Sequence, residues 1–285
     1  GFVFYSKKSG GESAGKTFGD LFLKTITSIS FDKTMKWEKS GFLFPRPIRW
    51  FIGYVNNTPL DFSIGPVKND TFSFGNRSVS NSKLPIFNGY DYFEKMNDNY
   101  VEIDFEKRKS MILSEIEKAA GKLSLSLIED EELLLEVTDL VEYPVIFCGK
   151  FDERFLNLPK EIIIAALKQH QRYFSLKKED GSLSLNFIFV SNAPYADSED
   201  IINNNQRIIS SRLEDAEFYY KNDMSHDMKY YEDVLKKTIF HEQLGTFYDK
   251  AQRNKKLASF ILKSINEKEP DLELLTLISK FDIAT

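Results

Sequence analysis

The side chains able to do chemistry in this chain are few and scattered. Its imidazoles are His170, His226 and His241, far apart and without a second His at helical spacing, so the clustered ligands of a zinc site are missing. His241-Glu242 lacks the later His of a zincin helix. Cys148 is the single cysteine and lies in the apolar run Val145-Ile146-Phe147-Cys148, where a free thiol packs as a small hydrophobe and no intrachain disulfide can form. No GxGxxG turn and no GxSxG elbow occurs, which leaves dinucleotide binding and serine hydrolysis without support. The string Ser9-Gly10-Gly11-Glu12-Ser13-Ala14-Gly15-Lys16-Thr17 ends in Gly-Lys-Thr, as a phosphate loop does. It reads as a Gly/Ser turn and not as a Walker loop, on the expectation that its first glycine is out of register and because the helix due to follow it is Phe-rich. The residues nominate no catalytic group and no metal ligand.

Cations offer more. Residues 32–50 carry Lys33, Lys36, Lys39, Arg46 and Arg49 against only Asp32 and Glu38, interleaved with Trp37, Phe42, Phe44 and Trp50. Positive groups set among aromatic rings suit RNA phosphates and stacked bases, although the plainer reading of the lysines is a solvated strand face. A second candidate is His170-Gln171-Arg172-Tyr173-Phe174 at a helix-to-strand junction, with Arg172 as phosphate partner. His170 shares a helical face with Ile163, Ala166 and Leu167 and is expected to line the core. On a later helix Arg212 stands at ion-pair spacing from Asp215, whereas Arg207 has no such partner in view. Lys and Arg total 38 against 43 Asp and Glu, a formal charge of -5, so any nucleic-acid contact must be local. Residues 129–142 are acidic throughout and carry no basic residue.

The elements that must position these groups read as α+β. With 42% hydrophobic residues, 14% aromatic and 25 Phe, the chain can bury a core and does not resemble a disordered segment. Residues 1–103 carry strand-and-turn chemistry, with Phe2 to Tyr5 alternating like a strand. Pro45 and Pro47 interrupt any ladder, so regular strand resumes only after them. Asp104 should cap a helix with Ile112, Ile116 and Ala120 on one face, stopped by Gly121. A second helix is expected from about Ser126 to Leu140, then a buried strand at Val145 to Gly149. Pro159 opens a helix over Lys160 to His170. Tyr173 to Val190 reads as a hairpin turning at Glu179-Asp180-Gly181. From Ser198 the apolar period turns helical, with Leu244, Phe247, Ala251, Ala258, Ile261 and Ile265 on one later face. The expected division is an α+β region over 1–222 and a helical region over 238–285. Both ends read as cuts in a longer protein, the last inside an apolar helix over 279–285. A lone cysteine fits a reducing, cytoplasmic setting, and no apolar run approaches the roughly 20 residues of a membrane helix.

Several strings, taken in order, resemble the β subunit of the bacterial heterotetrameric glycyl-tRNA synthetase. They include Met35-Lys36-Trp37, Phe44-Pro45-Arg46-Pro47-Ile48-Arg49-Trp50, Val141-Glu142-Tyr143-Pro144-Val145, and Phe151-Asp152-Glu153-Arg154-Phe155-Leu156-Asn157-Leu158-Pro159. His170-Gln171-Arg172-Tyr173-Phe174, Ser211-Arg212-Leu213-Glu214-Asp215-Ala216-Glu217-Phe218 and His241-Glu242-Gln243-Leu244-Gly245-Thr246-Phe247-Tyr248-Asp249-Lys250 follow. The resemblance implies an internal portion of that subunit, with residues 238–285 opening its HD-like domain. It implies a part in glycine–tRNA ligation (ATP, glycine and tRNA-Gly giving glycyl-tRNA). The α subunit would bind ATP with magnesium and form the adenylate, while this portion, inactive alone and without a cofactor, supports tRNA recognition and assembly. Partners would be that α subunit and tRNA-Gly, with no DNA and no membrane.

Arg46, Arg49 and Arg172, from the chemistry of their own segments, and Arg77 and Arg207, which stand at motif positions of the family, are the nucleic-acid candidates. Two departures touch them: Gly75-Asn76-Arg77 stands where the family has Gly-His-Arg, and Asn205-Gln206-Arg207 where it has Asn-Glu-Arg. Phe281-Asp282 stands where a working HD hydrolase has His-Asp, which removes an imidazole ligand. An HD-type metal phosphohydrolase using His241 and Asp282, and a pure subunit-assembly scaffold, are the alternatives.

Overall fold

The computed structural model describes residues 2–7, 10, 11, 13–194 and 198–285. Its elements, in chain order, begin with helix α1 (Ala14–Ser28), whose N-cap Ser13 side chain accepts the Lys16 N–H. Short antiparallel pairs follow: β1 (Met35–Lys36) with β2 (Leu43–Phe44), β3 (Tyr54–Val55) with β4 (Thr58–Pro59), β5 (Ser63–Ile64) with β6 (Val67–Lys68), and β7 (Phe72–Phe74) with β8 (Lys83–Pro85). Next come α2 (Gly89–Asp98), α3 (Phe105–Lys122), β9 (Ser126–Leu127), α4 (Glu131–Leu140), β10 (Val145–Lys150) and α5 (Lys160–Gln171). The chain continues through β11 (Phe174–Lys177), β12 (Leu183–Ser191), α6 (Ser198–Met224), α7 (Met228–Lys237), β13 (Ile239–His241), β14 (Gly245–Thr246), α8 (Phe247–Ser264) and α9 (Leu272–Ile278). This is an α+β fold. None of its helices is long and apolar enough to cross a membrane, among the described residues.

Residues 1–149 with 172–203 form one compact unit, and residues 150–171 with 204–285 another. In the first, strands β10, β12, β11 and β9 make a four-stranded sheet in that order. Asp104 and Asp130 accept the N–H groups of Lys107 and Leu133, satisfying orphan donors at the starts of α3 and α4. Both helices then lay apolar stripes on one sheet face: Ile112, Ile116 and Ala120 from α3, Leu133, Leu134 and Val137 from α4, against Phe174, Leu176 and Ile188. The alternation of β12 sends Phe187 and Phe189 to the opposite face, where Tyr173 stacks on Phe187 at 5.0 Å. Burial there pushes the Tyr173 phenol up to about 12. Cys148 packs against the helix-covered core, and burial raises its thiol pKa. Gly149 is required by close approach, since a Cβ there would lie 2.5 Å from the Phe187 ring.

A satellite core of Phe51, Phe62 and Ile64 is covered by Phe22, Leu23 and Ile26 of α1. Gly19 permits this, because a Cβ at that position would stand 2.8 Å from the Asp61 carbonyl oxygen. In the second unit α7 buries Tyr231 and Leu235, α8 buries Ala251, and Tyr231 meets Phe281 at 5.5 Å.

Several expectations need correction. Residues 2–7 join no strand, and Phe2 to Tyr5 are exposed. The strand-and-turn region holds helices α1 and α2 as well. Residues 126–127 pair with β11, so α4 begins only at Glu131. Helix α3 passes Gly121 and ends at Lys122, and Ser124 takes the left-handed conformation beyond it. Leu244 lies in the β13–β14 turn rather than on α8, and Ile261 and Ile265 are exposed. Residues 279–285 hold only a short 3-10 turn, Phe281–Ile283. His170 is exposed at the end of α5 rather than lining a core.

Candidate nucleic-acid interface

The basic segment folds as the β1–β2 hairpin and the proline-broken stretch after it. Its one internal acid is turned inward: the Glu38 carboxylate accepts the Ser40 N–H at 2.5 Å, the Ser40 hydroxyl, and the Phe42 N–H at 3.3 Å. Those hydrogen bonds, the Ser40 hydroxyl first, hold its pKa below the ordinary carboxylate value. Glu38 also sits over Gly65, where a Cβ would come 2.8 Å from Oε2 and φ is +55°. With Glu38 engaged, Lys33, Lys36, Lys39, Arg46 and Arg49 are exposed, and no ion pair is formed by any of them among the described residues. Phe31, Phe42 and Phe44 form an aromatic ladder beside them, with centroids 5.1 and 5.8 Å apart.

At its C-terminal end the segment becomes the wall of a cleft. Arg49 lies 6.0 Å from the centre of the Trp50 ring, and Trp50 packs edge-on against Phe74 at 4.8 Å. The cleft, of about 790 Å³, is lined by Trp50, Phe74, Arg77, Tyr92, Asp139 and Glu142 among others. An amide knot at its base sets the shape. Asn76 is 1% exposed; its amide nitrogen donates to the Asn192 carbonyl at 3.0 Å and Oδ1 at 3.1 Å, and its Oδ1 accepts from the Ser78 N–H at 3.0 Å and hydroxyl at 2.6 Å. Asn192 Oδ1 in turn accepts the N–H groups of Glu142 and Tyr143 at 2.9 and 3.0 Å. Next to the knot Gly75 is pressed on Asn99, whose Cβ would be 2.5 Å from an added Cβ.

Other charges lining the cleft are committed. Arg108 donates through Nε to the Thr138 carbonyl at 2.9 Å and through Nη1 to the Glu102 carbonyl at 2.6 Å. Lys107 pairs with the Glu102 carboxylate at 2.5 Å. Burial, the largest influence, raises the Tyr92 phenol pKa. Arg77, Asp139 and Glu142 are exposed, and their side chains form no ion pair or hydrogen bond among the described residues.

Arg46 and Arg49 are both exposed in the stretch after β2, Arg49 lies over the Trp50 ring, and Arg77 lines the cleft. Arg172 is elsewhere and differently used: left-handed at φ 57°, it donates through Nε to Glu136 at 2.8 Å. Arg207 belongs to the second unit, where it is exposed and forms no ion pair among the described residues. Arg212 meets Asp215 at 3.9 Å, as its spacing predicts. Gln206, one of the two departures, accepts the Lys150 N–H at 2.9 Å, a role a carboxylate performs equally well. Sequence reasoning missed the Trp50–Tyr92 wall and the Asn76–Asn192 knot. No local signal announces the knot, because 116 residues separate its partners.

The other candidate chemistries gain nothing. Gly10, Gly15, Lys16 and Thr17 do carry phosphate-loop spacing, contrary to the expectation that the first glycine is out of register, yet residues 2–7 are exposed and form no strand before it. Ser9 and Glu12 of that string lie outside the described residues. His241 is exposed and its Nδ1 accepts the Gln243 N–H at 3.2 Å. Among the described residues no three His, Cys, Asp or Glu side chains converge as a metal site would require. A hollow of about 580 Å³ beside α3 and α4 is rimmed by Glu117, Glu129, Asp130 and Glu131 with Lys177, a poor seat for a polyanion.

Comparison with known proteins points one way. A profile described as glycyl-tRNA synthetase beta subunit matches residues 1–285. The glycine–tRNA ligase beta subunit of Clostridioides difficile (strain 630) is 36% identical over 286 residues, covering 100% of this chain and 41% of that protein. Its counterpart in Pediococcus pentosaceus is 35% identical over 265 residues, 92% of this chain and 38% of that protein. The Dictyoglomus thermophilum protein of the same name is 34% identical over 287 residues, 100% and 42%. The chain therefore spans about two fifths of the length of these relatives.

Proposed function

This chain belongs to the glycyl-tRNA synthetase β subunit family, and from that premise we propose that it acts in glycine–tRNA ligation as a part that holds tRNA-Gly. The observation that carries this reading is the run of exposed cations Lys33, Lys36, Lys39, Arg46 and Arg49, which form no ion pair among the described residues, beside the exposed Phe31 and the half-buried Phe42 and Phe44. Such cations replace counterions on phosphates, whereas a cation already held by a carboxylate, such as Arg172, gains less. On the same reading the adenylate is made elsewhere, by an α subunit that binds ATP, magnesium and glycine, and the assembly works in the cytoplasm.

The test is tRNA-Gly binding by this chain across a salt series. Replacing Lys36, Arg46 and Arg49 together with Ala is expected to weaken binding at least tenfold. The log–log salt slope should become shallower by about 2 to 3, close to one unit per phosphate contact. Arg172→Ala should leave both nearly unchanged. An unaltered affinity and slope in the triple variant would remove the strip from RNA recognition.

A second reading, subunit assembly, is favoured by the outer face of α8, where Leu257, Phe260 and Ile261 are 63%, 72% and 57% exposed. Co-purification with an α subunit that is lost on Leu257→Ser and Phe260→Ser would support it. Retention of α by that double variant would count against this face.

A further inference from the structure

We propose that the cleft beside Trp50 holds one unpaired nucleotide of an RNA strand whose base carries an exocyclic amine. This rests on the reading of the chain as an RNA-holding part and adds where a base is received and which bases fit.

The wall is aromatic and two-sided. Trp50 and Tyr92 line the 790 Å³ cleft on one side and a second hollow of about 370 Å³ on the other, which Ile52, Tyr54 and Phe93 complete. An unstacked base gains about 1–3 kcal/mol from lying on such a ring. The second hollow, apolar and bordered by the same rings, suits the neighbouring base. Two cations that form no ion pair among the described residues accompany the wall, Arg49 over the Trp50 ring and Arg77 in the cleft lining. Two cations match the phosphates before and after a nucleotide within a strand, whereas a free mononucleotide has one.

The polar lining selects the base. Arg108 and Glu102 are engaged with the fold, so the charged side chains left in the lining to meet a ligand are Arg77, Asp139 and Glu142. Ionised carboxylates only accept hydrogen bonds. They pair with an exocyclic amine, as in cytosine N4, and oppose the carbonyl edge of uracil. Asn192 holds the Glu142 backbone N–H at 2.9 Å, so this carboxylate is carried on an anchored turn.

The experiment uses intrinsic fluorescence. The chain has 2 Trp residues, and Trp37 has a buried Nε1 with no hydrogen-bond partner, so Trp37→Phe breaks no hydrogen bond and leaves Trp50 as sole reporter. Titrating this variant with the RNA hexamers rC6 and rU6 should quench Trp50 with rC6 at least tenfold tighter than rU6, the discrimination one good base-edge pair supplies. Asp139→Asn with Glu142→Gln should bring the two hexamers to within about threefold of each other, because an amide can donate to uracil as well as accept from cytosine. Arg77→Ala should weaken both hexamers alike. All three substituted side chains are exposed, and circular dichroism checks that each variant stays folded.

Equal quenching by rC6 and rU6 in the unsubstituted cleft, or no quenching, would overturn the proposal. CMP binding as tightly as rC6 would overturn the strand and leave a mononucleotide site. A chain that still binds tRNA-Gly through Lys36, Arg46 and Arg49 while Trp50 stays silent would sink the cleft alone. A tRNA-Gly affinity unchanged by replacing Lys36, Arg46 and Arg49, with the hexamer preference intact, would sink the strip alone.

Discussion

Asn76 shows how one side chain can fix a site it does not chemically serve. Its amide uses both ends, donating to Asn192 and accepting from Ser78, and its own N–H reaches the Asn99 carbonyl at 2.9 Å. Asn76→Ala should destabilise the chain by about 1–3 kcal/mol, the cost of leaving buried partners unsatisfied, read as a lower urea midpoint. Asn76→His should lose less, because a neutral imidazole also has one donor and one acceptor. An equal loss from both would show that the amide geometry alone matters. Tyr173 gives a pH signature of its own. Its folded pKa, about 12, is raised above the unfolded value, so its contribution is complete below the unfolded phenol pKa. That contribution is lost as pH rises from there through the folded value. Alkaline unfolding should therefore begin later in Tyr173→Phe, which has no phenol to ionise.

Elements whose determinants are local were legible. Asp104 caps α3, Pro159 opens α5, and Gly181 at φ +81° turns the β11–β12 hairpin. Elements held by distant partners were not. Helix α1 is Phe-rich, and its covered face is decided by Phe51 and Phe62, with Phe22 lying 4.6 Å from Phe62. The two residues of β9 pair with β11 nearly fifty residues later, which overrode their helical pattern. At α8 a capping box joins Thr246 and Asp249: the Asp249 N–H donates to the Thr246 hydroxyl at 3.2 Å and the Thr246 N–H to Asp249 at 2.8 Å. Thr246→Ala should cost about 1 kcal/mol, visible as a lower Tm. Asp249 is held below the ordinary carboxyl pKa, first by the Thr246 N–H. Its contribution is present above the unfolded carboxyl pKa and lost as pH falls through the folded one. Asp249→Asn should flatten the acid limb of stability, and an unchanged acid limb would show that the box is inert.

At the scale of the molecule, charge is segregated against a net -5. The cations of residues 33–49 form no ion pair among the described residues, while the acids of α4 and its approach are partly paired, Glu131 with Lys109 and Glu136 with Arg172. Apolar surface is uneven as well, with Phe260 72% and Leu257 63% exposed on α8. Leu257→Ser with Phe260→Ser should leave Tm nearly unchanged, since exposed positions cost within about 0.5 kcal/mol each, and should reduce binding of a hydrophobic dye. A marked drop in Tm would mean those side chains are packed.

The chain's residues by themselves determined the α+β class, the caps and turns, the basic segment, and a family likeness, because each rests on neighbours within a few positions or on the order of short strings. Tertiary structure alone decided which cations are free. Spacing does not show that Glu38 turns onto Ser40 or that Arg172 lies against Glu136. It also decided that Asn76 and Asn192 meet and that Trp50 and Tyr92 share a wall. Those contacts close loops of tens to more than a hundred residues, and their energy comes from partners that no local pattern specifies.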